Sequence, residues 1–314
     1  MTIAVFPGQI RPLVEGRLPD WLDARFFNTG DELVALAADA EIGWFDYFNE
    51  GIGPMLEAFQ RAEKLRWLIT MSAGLDYMPL DMLTGRGVMI TKGSGLTSAP
   101  IAEYTVMGML ALAKGFRQVL HAQDRREWLQ DSPGKRQLAG SRALIVGFGA
   151  IGRELARRLT AFDVEVVGVT RSGGDGLLGL DDWRPRLGEF DWVILAAPAT
   201  ADTRHMIGAE ELAAMKSDAI LVNIARGTLV DQQALTEALA DMRIGGAMLD
   251  VTEPEPLPAD DPLWSFDNVH ITMHLTGRSQ TSAFADTTER LLANLDIYRS
   301  GQPPRPLFDP ALGY

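Results

Sequence analysis

The chain contains no cysteine, which excludes disulfides, a thiolate metal site and a cysteine nucleophile. Histidine is scarce as well, with four in 314 residues and none at HxxxH or similar spacing, so no metal site is expected. Basic residues are outnumbered: 29 Lys and Arg against 42 Asp and Glu leave a formal charge of −13. A field of that sign repels nucleic acid and anionic membranes, although a few local arginines can still hold a small anion. Long apolar runs are also missing. The stretch Val106–Ala113 is far short of the ~20 residues that span a bilayer. The first residues, Met1-Thr-Ile-Ala-Val-Phe-Pro-Gly8, have neither the basic stretch nor the long apolar segment of a signal peptide. There is no internal repeat and no low-complexity tract. A soluble, cytoplasmic protein is the expectation.

What is present is a globular composition, 46% hydrophobic and 23% charged, at a length that favours about two domains. The organising stretch is Arg142-Ala-Leu-Ile-Val-Gly-Phe-Gly-Ala-Ile-Gly-Arg153. Ala143–Val146 reads as a buried strand, Gly147, Gly149 and Gly152 fall at GxGxxG spacing, and Leu155, Ala156, Leu159 and Phe162 form one helical stripe. In that context each glycine has a task. Gly147 permits the tight turn, Gly149 lets backbone approach a pyrophosphate, and Gly152 lets the helix pack on the strand. The helix N-terminus then faces the anion with free N–H groups and a positive dipole end.

Strands and helices alternate on both sides of this stretch. Ahead of it, strands are expected at 2–6, 41–45, 65–71 and 87–91, with helices at 31–40 (Asp31 as N-cap) and 54–64; residues 8–27 give no clear element. A long helix, 100–120, and a polar arm, 121–140, lead into the glycine turn. After it come six strand candidates, 143–146, 164–170, 192–197, 219–224, 246–249 and 269–273. Six parallel strands in two halves suit a dinucleotide fold. The amphipathic helix 281–300 has no domain of its own and is expected to cross back onto the N-terminal domain.

Polar residues follow successive strands of the second half: Arg226, Asp250, Glu255 and His274. In a doubly wound sheet all of them lie at the ligand edge. Hydride transfer to a keto acid needs a cation to hold the substrate, an acid to protonate the carbonyl oxygen, and a partner to orient that acid. Arg offers a planar fork to a carboxylate, His titrates near neutrality, and a carboxylate fixes the tautomer of His. Arg226, Glu255 and His274 supply those types. Singly, each is more often a surface or structural residue, and His121, His205 and His270 keep that reading. At Thr170-Arg171-Ser172 no acid stands ready for a ribose 2′-OH. Arg171 and the Ser172 hydroxyl suit a 2′-phosphate, so NADPH is expected over NADH, with NAD still usable and Asp175 as the nearby acid. Trp44, Phe45 and Tyr47 line a side-chain pocket or belong to the core.

In order along the chain, SAGLD (72–76), APIAEYT (99–105), REW (126–128), GFGAIG (147–152), ILAAPAT (194–200), TRHMIGAEELAAMK (203–216), LVNIARGTLVD (221–231), GGAMLDVTEPEPLP (245–258) and MHLTG (273–277) resemble the D-isomer-specific 2-hydroxyacid dehydrogenase family. The first sixty residues resemble it only loosely. The resemblance implies an α/β protein of two flavodoxin/Rossmann-like domains with doubly wound parallel sheets. A substrate-binding domain is built from both chain ends (1–97 and 279–314) and a dinucleotide-binding domain from 98–278, commonly in a homodimer. It places the catalytic trio on Arg226, Glu255 and His274. Cofactor contacts fall on Ala150, Ile151, Pro198, Thr203, Ile224, Ala225, Asp250 and Gly277, beside the glycines and residues 170–172, and the substrate carboxylate on Ala73 and Gly74.

Two departures are evident. Met273 stands where the family commonly has Pro, and Thr91-Lys-Gly-Ser-Gly95 replaces an Asn-x-Pro-Gly turn. Glu255 differs from the Gln usual in formate dehydrogenases, and Ala73 lacks the nearby Lys of phosphite-oxidising relatives. Residues 170–172 look like those of NADPH-preferring glyoxylate/hydroxypyruvate reductases. The expected reaction is therefore reduction of a small 2-keto acid to the D-2-hydroxy acid. The alternatives are a nucleotide-sensing corepressor-type binding protein and a phosphoglycerate-type biosynthetic dehydrogenase, to which Arg11 and Arg17 would contribute.

Overall fold

The computed structural model of the chain describes residues 1–46, 51–278 and 281–310. Contacts divide the chain into two compact units, Met1–Thr97 with Gln280–Tyr314, and Ser98–Ser279. Both are α/β.

The first unit is built on strands β1 (Thr2–Pro7), β2 (Leu22–Phe27), β3 (Ile42–Trp44), β4 (Trp67–Ile69) and β5 (Met89–Thr91), in the order β2-β1-β3-β4-β5 and all parallel. Alternate residues of β1 serve opposite faces, as the two-residue period of a strand requires. Val5 packs with Leu33, Ala37, Met55 and Phe59 of the helices Gly30–Ala37 and Ile52–Arg61. Ala4 and Phe6 pack with Leu291 and Leu295 of the helix Ala283–Arg299. Trp44 stacks on Phe284 and Trp67 on Tyr298 at centroid distances of 5.9 and 5.2 Å, fixing that helix on this sheet. Trp44 and Phe45 are fully buried core residues; Tyr47 lies outside the described residues.

Three expectations change here. Residues 8–27 do hold a strand: β2 is an edge strand, half-buried in its middle, where Arg25 pairs with Asp23 at 3.0 Å and faces Asp39 at 3.6 Å. Those charges mask its period. The helix after β2 is capped by Thr29, whose hydroxyl accepts from Glu32 N at 3.2 Å, and Asp31 sits in its first turn. The expected helix 100–120 is two helices, Ser98–Ala113 and Phe116–Asp124, parted at left-handed Gly115 (φ 59°). A side chain at Gly115 would run into Pro133 and Gly134. His121 accordingly lies on the second helix and not in the arm.

The second unit carries β6 (Arg142–Val146), β7 (Glu165–Val169), β8 (Ser172–Gly174), β9 (Leu177–Gly179), β10 (Trp192–Leu195), β11 (Ile220–Asn223), β12 (Gly246–Leu249) and β13 (Val269–Ile271), ordered β13-β12-β11-β10-β6-β7-β9-β8. All neighbours are parallel except β8 and β9, a short hairpin that the sequence reading did not anticipate. The central strands are buried on both faces, which is why they read as unbroken Val/Ile/Leu runs. Ala143 and Ile145 pack against Ile101, Met109 and Leu155, whereas Leu144 and Val146 pack with Leu195, Leu221 and Leu229. The order in which strands are added reverses between β6 and β10, which run parallel. That switch point is where open α/β sheets receive ligands. No helix among the described residues is long and apolar enough to cross a membrane.

Candidate cofactor and catalytic site

The glycine turn leaves β6 at the switch point and enters the helix Ala150–Thr160. Gly147 has φ 102°, and a Cβ there would collide with the Ala196 and Ala197 backbone at the end of β10. A Cβ on Gly152 would strike the Gly147 carbonyl and come within 3.2 Å of Ile145. Gly149, the helix N-cap, differs from both: its φ is −78° and a Cβ would meet no atom within 4 Å. The fold itself demands Gly147 and Gly152, while Gly149 borders open space. No side chain caps this helix, so the N–H groups of Ala150, Ile151 and Gly152 lack an intrahelical acceptor. A small-residue turn opening onto uncapped N–H groups fits a dinucleotide pyrophosphate.

At the end of β7 the Thr170 hydroxyl accepts from Gly173 N at 3.1 Å and fixes the corner that leads into β8. Arg171 is exposed and lies 3.8 Å from Asp202. Ser172 opens β8 and Asp175 sits in the hairpin turn at φ 53°. Past β10, the Thr203 hydroxyl donates to Pro198 O at 2.8 Å and accepts from Thr200 N at 2.8 Å. Pro198 and Thr203 therefore shape one another.

At the end of β11, Ile224 and Ala225 are buried. Asn223, which sequence reading passed over, holds this corner. Its Oδ1 accepts from Ala225 N at 3.1 Å and its Nδ2 donates to Arg226 O at 2.9 Å. The Arg226 guanidinium donates to Ala225 O at 2.8 Å. Gly227 is pressed against the Thr252 carbonyl so closely that no side chain fits. This contact joins the Arg226 corner to the loop that carries Glu255.

That loop is tied down by Glu253 N donating to Gln232 Oε1 at 3.0 Å and by Trp264 Nε1 donating to Pro258 O at 2.8 Å. Glu255 Oε1 accepts from Thr252 N at 3.2 Å, and its Oε2 lies 2.8 Å from His274 Nδ1. Burial pushes the Glu255 carboxyl up. The His274 hydrogen bond and charge, the Thr252 N–H and the Arg226 charge together outweigh burial and hold it below its ordinary range. His274 Nε2 has no protein partner among the described residues.

His274 is positioned from below by Asp250, 3% exposed at the end of β12. Its Oδ1 accepts from Thr272 Oγ1 at 2.7 Å, Leu275 N at 3.1 Å and Thr276 N at 3.3 Å; its Oδ2 accepts from Thr276 Oγ1 at 2.6 Å. The His274 N–H donates to the Asp250 carbonyl. Gly277 lies in the following turn, Thr276–Arg278. Thr272 and Thr276 carried no signal in the sequence, because a threonine near a strand end is ordinary. Met273 and His274 both adopt left-handed backbone, φ 53° and 57°. Proline is locked near −65°, so the residue common in the family at 273 does not fit this turn.

In the other unit, Ser72–Asp76 follows β4. Ala73 N and Gly74 N have no acceptor among the described residues. Among the described residues no three His, Asp or Glu side chains form a metal-binding group.

The doubly wound sheet with this turn defines a dinucleotide-binding protein. Residues 106–276 match the family model described as D-isomer specific 2-hydroxyacid dehydrogenase, NAD binding domain. A glyoxylate reductase of Pyrococcus furiosus is 36% identical over 261 residues, covering 79% of this chain and 77% of that protein. A D-3-phosphoglycerate dehydrogenase of Methanocaldococcus jannaschii is 34% identical over 254 residues, or 78% of this chain, which spans about half (47%) of that longer protein. Among solved structures, a D-isomer specific 2-hydroxyacid dehydrogenase family protein from Aeromonas salmonicida superposes with TM-score 0.87 at 27% identity, over 98% of this chain and 99% of that one. One from Xanthobacter autotrophicus, solved with NADPH and MES, gives 0.78 at 27% identity over 99% and 100%. The chain belongs to the D-isomer specific 2-hydroxyacid dehydrogenase family.

Proposed function

We propose that the protein reduces a small 2-keto acid of the glyoxylate or hydroxypyruvate kind to the D-2-hydroxy acid, with NADPH preferred over NADH. The observation that carries this reading is the 2.8 Å His274–Glu255 pair, on loops joined to the Arg226 corner through Gly227 and Thr252. The bound nicotinamide supplies the hydride. His274, with Glu255 on Nδ1, presents Nε2–H as the acid for the carbonyl oxygen, and after proton loss Glu255 holds the Nδ1–H tautomer. Arg226 receives the substrate carboxylate; Ala73 and Gly74 are assigned to substrate binding by the family resemblance. The unit containing those two residues acts as the substrate domain and Ser98–Ser279 as the dinucleotide domain. Ala150, Ile151, Ile224, Ala225 and Gly277 border the cofactor.

NADPH preference is supported by Arg171 and Ser172, by the absence of an acid at the end of β7, and by the NADPH-bound Xanthobacter relative. The glyoxylate reductase relative supports the substrate class. A phosphoglycerate-type reading has the Methanocaldococcus relative in its favour, but its basic residues are engaged elsewhere. Arg17 holds Glu289 through bonds of 2.7 and 2.8 Å, and Arg11 lies over the Phe26 ring at 4.7 Å. A homodimer completes the reading, supported by exposed Phe116, Leu120 and Trp128 on one helix and the arm after it, and sedimentation tests it. The deciding assay is oxidation of NADPH and NADH against glyoxylate, hydroxypyruvate, pyruvate and phenylpyruvate. No turnover with any keto acid sinks the reductase reading, and equal kcat/KM for the two cofactors sinks the preference.

A further inference from the structure

The loop Ser72–Asp76 has an unusual foundation. Asp46, two residues past β3, is completely buried. Its Oδ2 accepts from Met71 N at 2.7 Å and from Thr70 Oγ1 at 2.9 Å. Its Oδ1 faces Tyr77 OH at 2.9 Å and Ser72 Oγ at 3.4 Å. Tyr77 OH lies 2.7 Å from Ser72 Oγ, and Thr70 Oγ1 accepts from Ser72 N at 3.0 Å. One carboxylate thus reaches both ends of the loop: Met71 and Ser72 where it begins, Tyr77 where it ends.

This arrangement has a directional consequence. The N–H groups of Met71 and Ser72 turn inward, to Asp46 and to the threonine that Asp46 holds. The next two, Ala73 and Gly74, have no acceptor among the described residues. A neighbouring strand end braces the same segment, since Gly93 N donates to Ser72 O at 2.8 Å and a Cβ on Gly93 would collide with the Met71 carbonyl. A buried carboxylate is costly unless donors converge on it. Burial leaves the Asp46 carboxyl raised above its ordinary range, against the lowering pull of the Met71 N–H and the Thr70 and Tyr77 hydroxyls.

We infer that Asp46 and Tyr77 are positioning residues that turn the Met71 and Ser72 N–H groups inward, so that those of Ala73 and Gly74 face the carboxylate of the substrate. The inference rests on the reductase reading above, because it takes that carboxylate to be the ligand of the loop. Asn is isosteric with Asp but has a single acceptor oxygen, so Asp46→Asn opposes its amide to one side of the donor set. Tyr77→Phe removes only the hydroxyl that ties the end of the loop to its beginning.

The test is steady-state kinetics of the full chain with glyoxylate and NADPH, together with inhibition by oxalate as a non-reacting carboxylate. Both variants are expected to raise the glyoxylate KM and the oxalate Ki by ~10-fold, the scale of one hydrogen bond to a charged group. The NADPH KM and kcat should stay within about twofold, since that loss corresponds to ground-state binding alone. If Asp46→Asn fails to fold, Tyr77→Phe decides. Unchanged glyoxylate KM and oxalate Ki overturn the inference and leave the reductase reading intact. A joint fall of kcat, rise of NADPH KM and loss of Tm also overturns it, marking a merely structural role. Wild-type protein inert toward every keto acid overturns the reductase reading itself.

Discussion

His274 Nδ1 stands 2.8 Å from Glu255 Oε2 although a strand separates the two residues in the chain. The pair is about one-third exposed on each side, 38% and 38%, open enough to exchange protons and close enough for each partner to fix the other. His274→Ala is expected to lower kcat for 2-keto acid reduction by at least ~10²-fold, the usual scale for a general acid. The substrate KM should change far less. Wild-type turnover in that variant would remove His274 from the mechanism.

The same pair sets a pH dependence of stability. Burial raises the Glu255 carboxyl, but the bond and charge of His274, the Thr252 N–H and Arg226 leave it net lowered. A depressed native value contributes stability that is present above the unfolded value of ~4.3 and is lost as pH falls through the native one. Urea unfolding of wild type and Glu255→Gln at a series of pH values should therefore show a gap at neutral pH that closes as the solution is acidified below that range. A gap that widens on acidification contradicts the assignment.

The three glycines of the turn separate what the fold needs from what a ligand needs. Gly149→Ala meets no atom and no unfavourable φ, so its Tm should match wild type. Its NADPH KM should rise ~10-fold or more, because the new methyl stands where a pyrophosphate approaches. Gly152→Ala drives a methyl into the Gly147 carbonyl and should cost about 1–3 kcal/mol in urea unfolding, as overpacking does. Equal stability losses in the two variants would refute this division of roles.

Arg171 and Asp202 face each other at 3.8 Å, 53% and 76% exposed. If Arg171 takes the 2′-phosphate, Arg171→Ala should reduce the NADPH-to-NADH ratio of kcat/KM by ~10–10²-fold, the worth of a charge-assisted bond. Asp202→Asn should shift the ratio the other way by less than ~5-fold, since exposed ion pairs are weak. A ratio untouched by Arg171→Ala places the specificity elsewhere.

How much of this was legible in the sequence depended on burial. Strands sealed on both faces, such as β10 and β11, announced themselves as apolar runs, whereas edge strand β2 hid behind Asp23 and Arg25. The break at Gly115 was invisible because apolar spacing continues on either side of it. For the site, residue types pointed to Arg226, Glu255 and His274, but their meeting depends on loop geometry that no local pattern encodes. Asp46 left no trace: an acid after Trp44-Phe45 reads as solvated, and the donors that bury it lie 24 to 31 positions further along.

Asp250 gives a last test of how the acid is held. Its carboxylate takes donors from Thr272, Leu275 and Thr276, and its carbonyl takes the His274 N–H. Asp250→Ala leaves several buried donors without an acceptor. At about 1–3 kcal/mol for each unsatisfied group, with some relief from relaxation and entering water, a loss of about 3–5 kcal/mol in urea unfolding is expected. Thr276→Val removes one of those donors and keeps the side chain's volume, so it should cost about 1 kcal/mol. If the Asp250 network positions His274, kcat should fall in step across the two variants while both stay folded at the assay temperature. If Asp250 serves stability alone, Thr276→Val will lower Tm and leave kcat where it was.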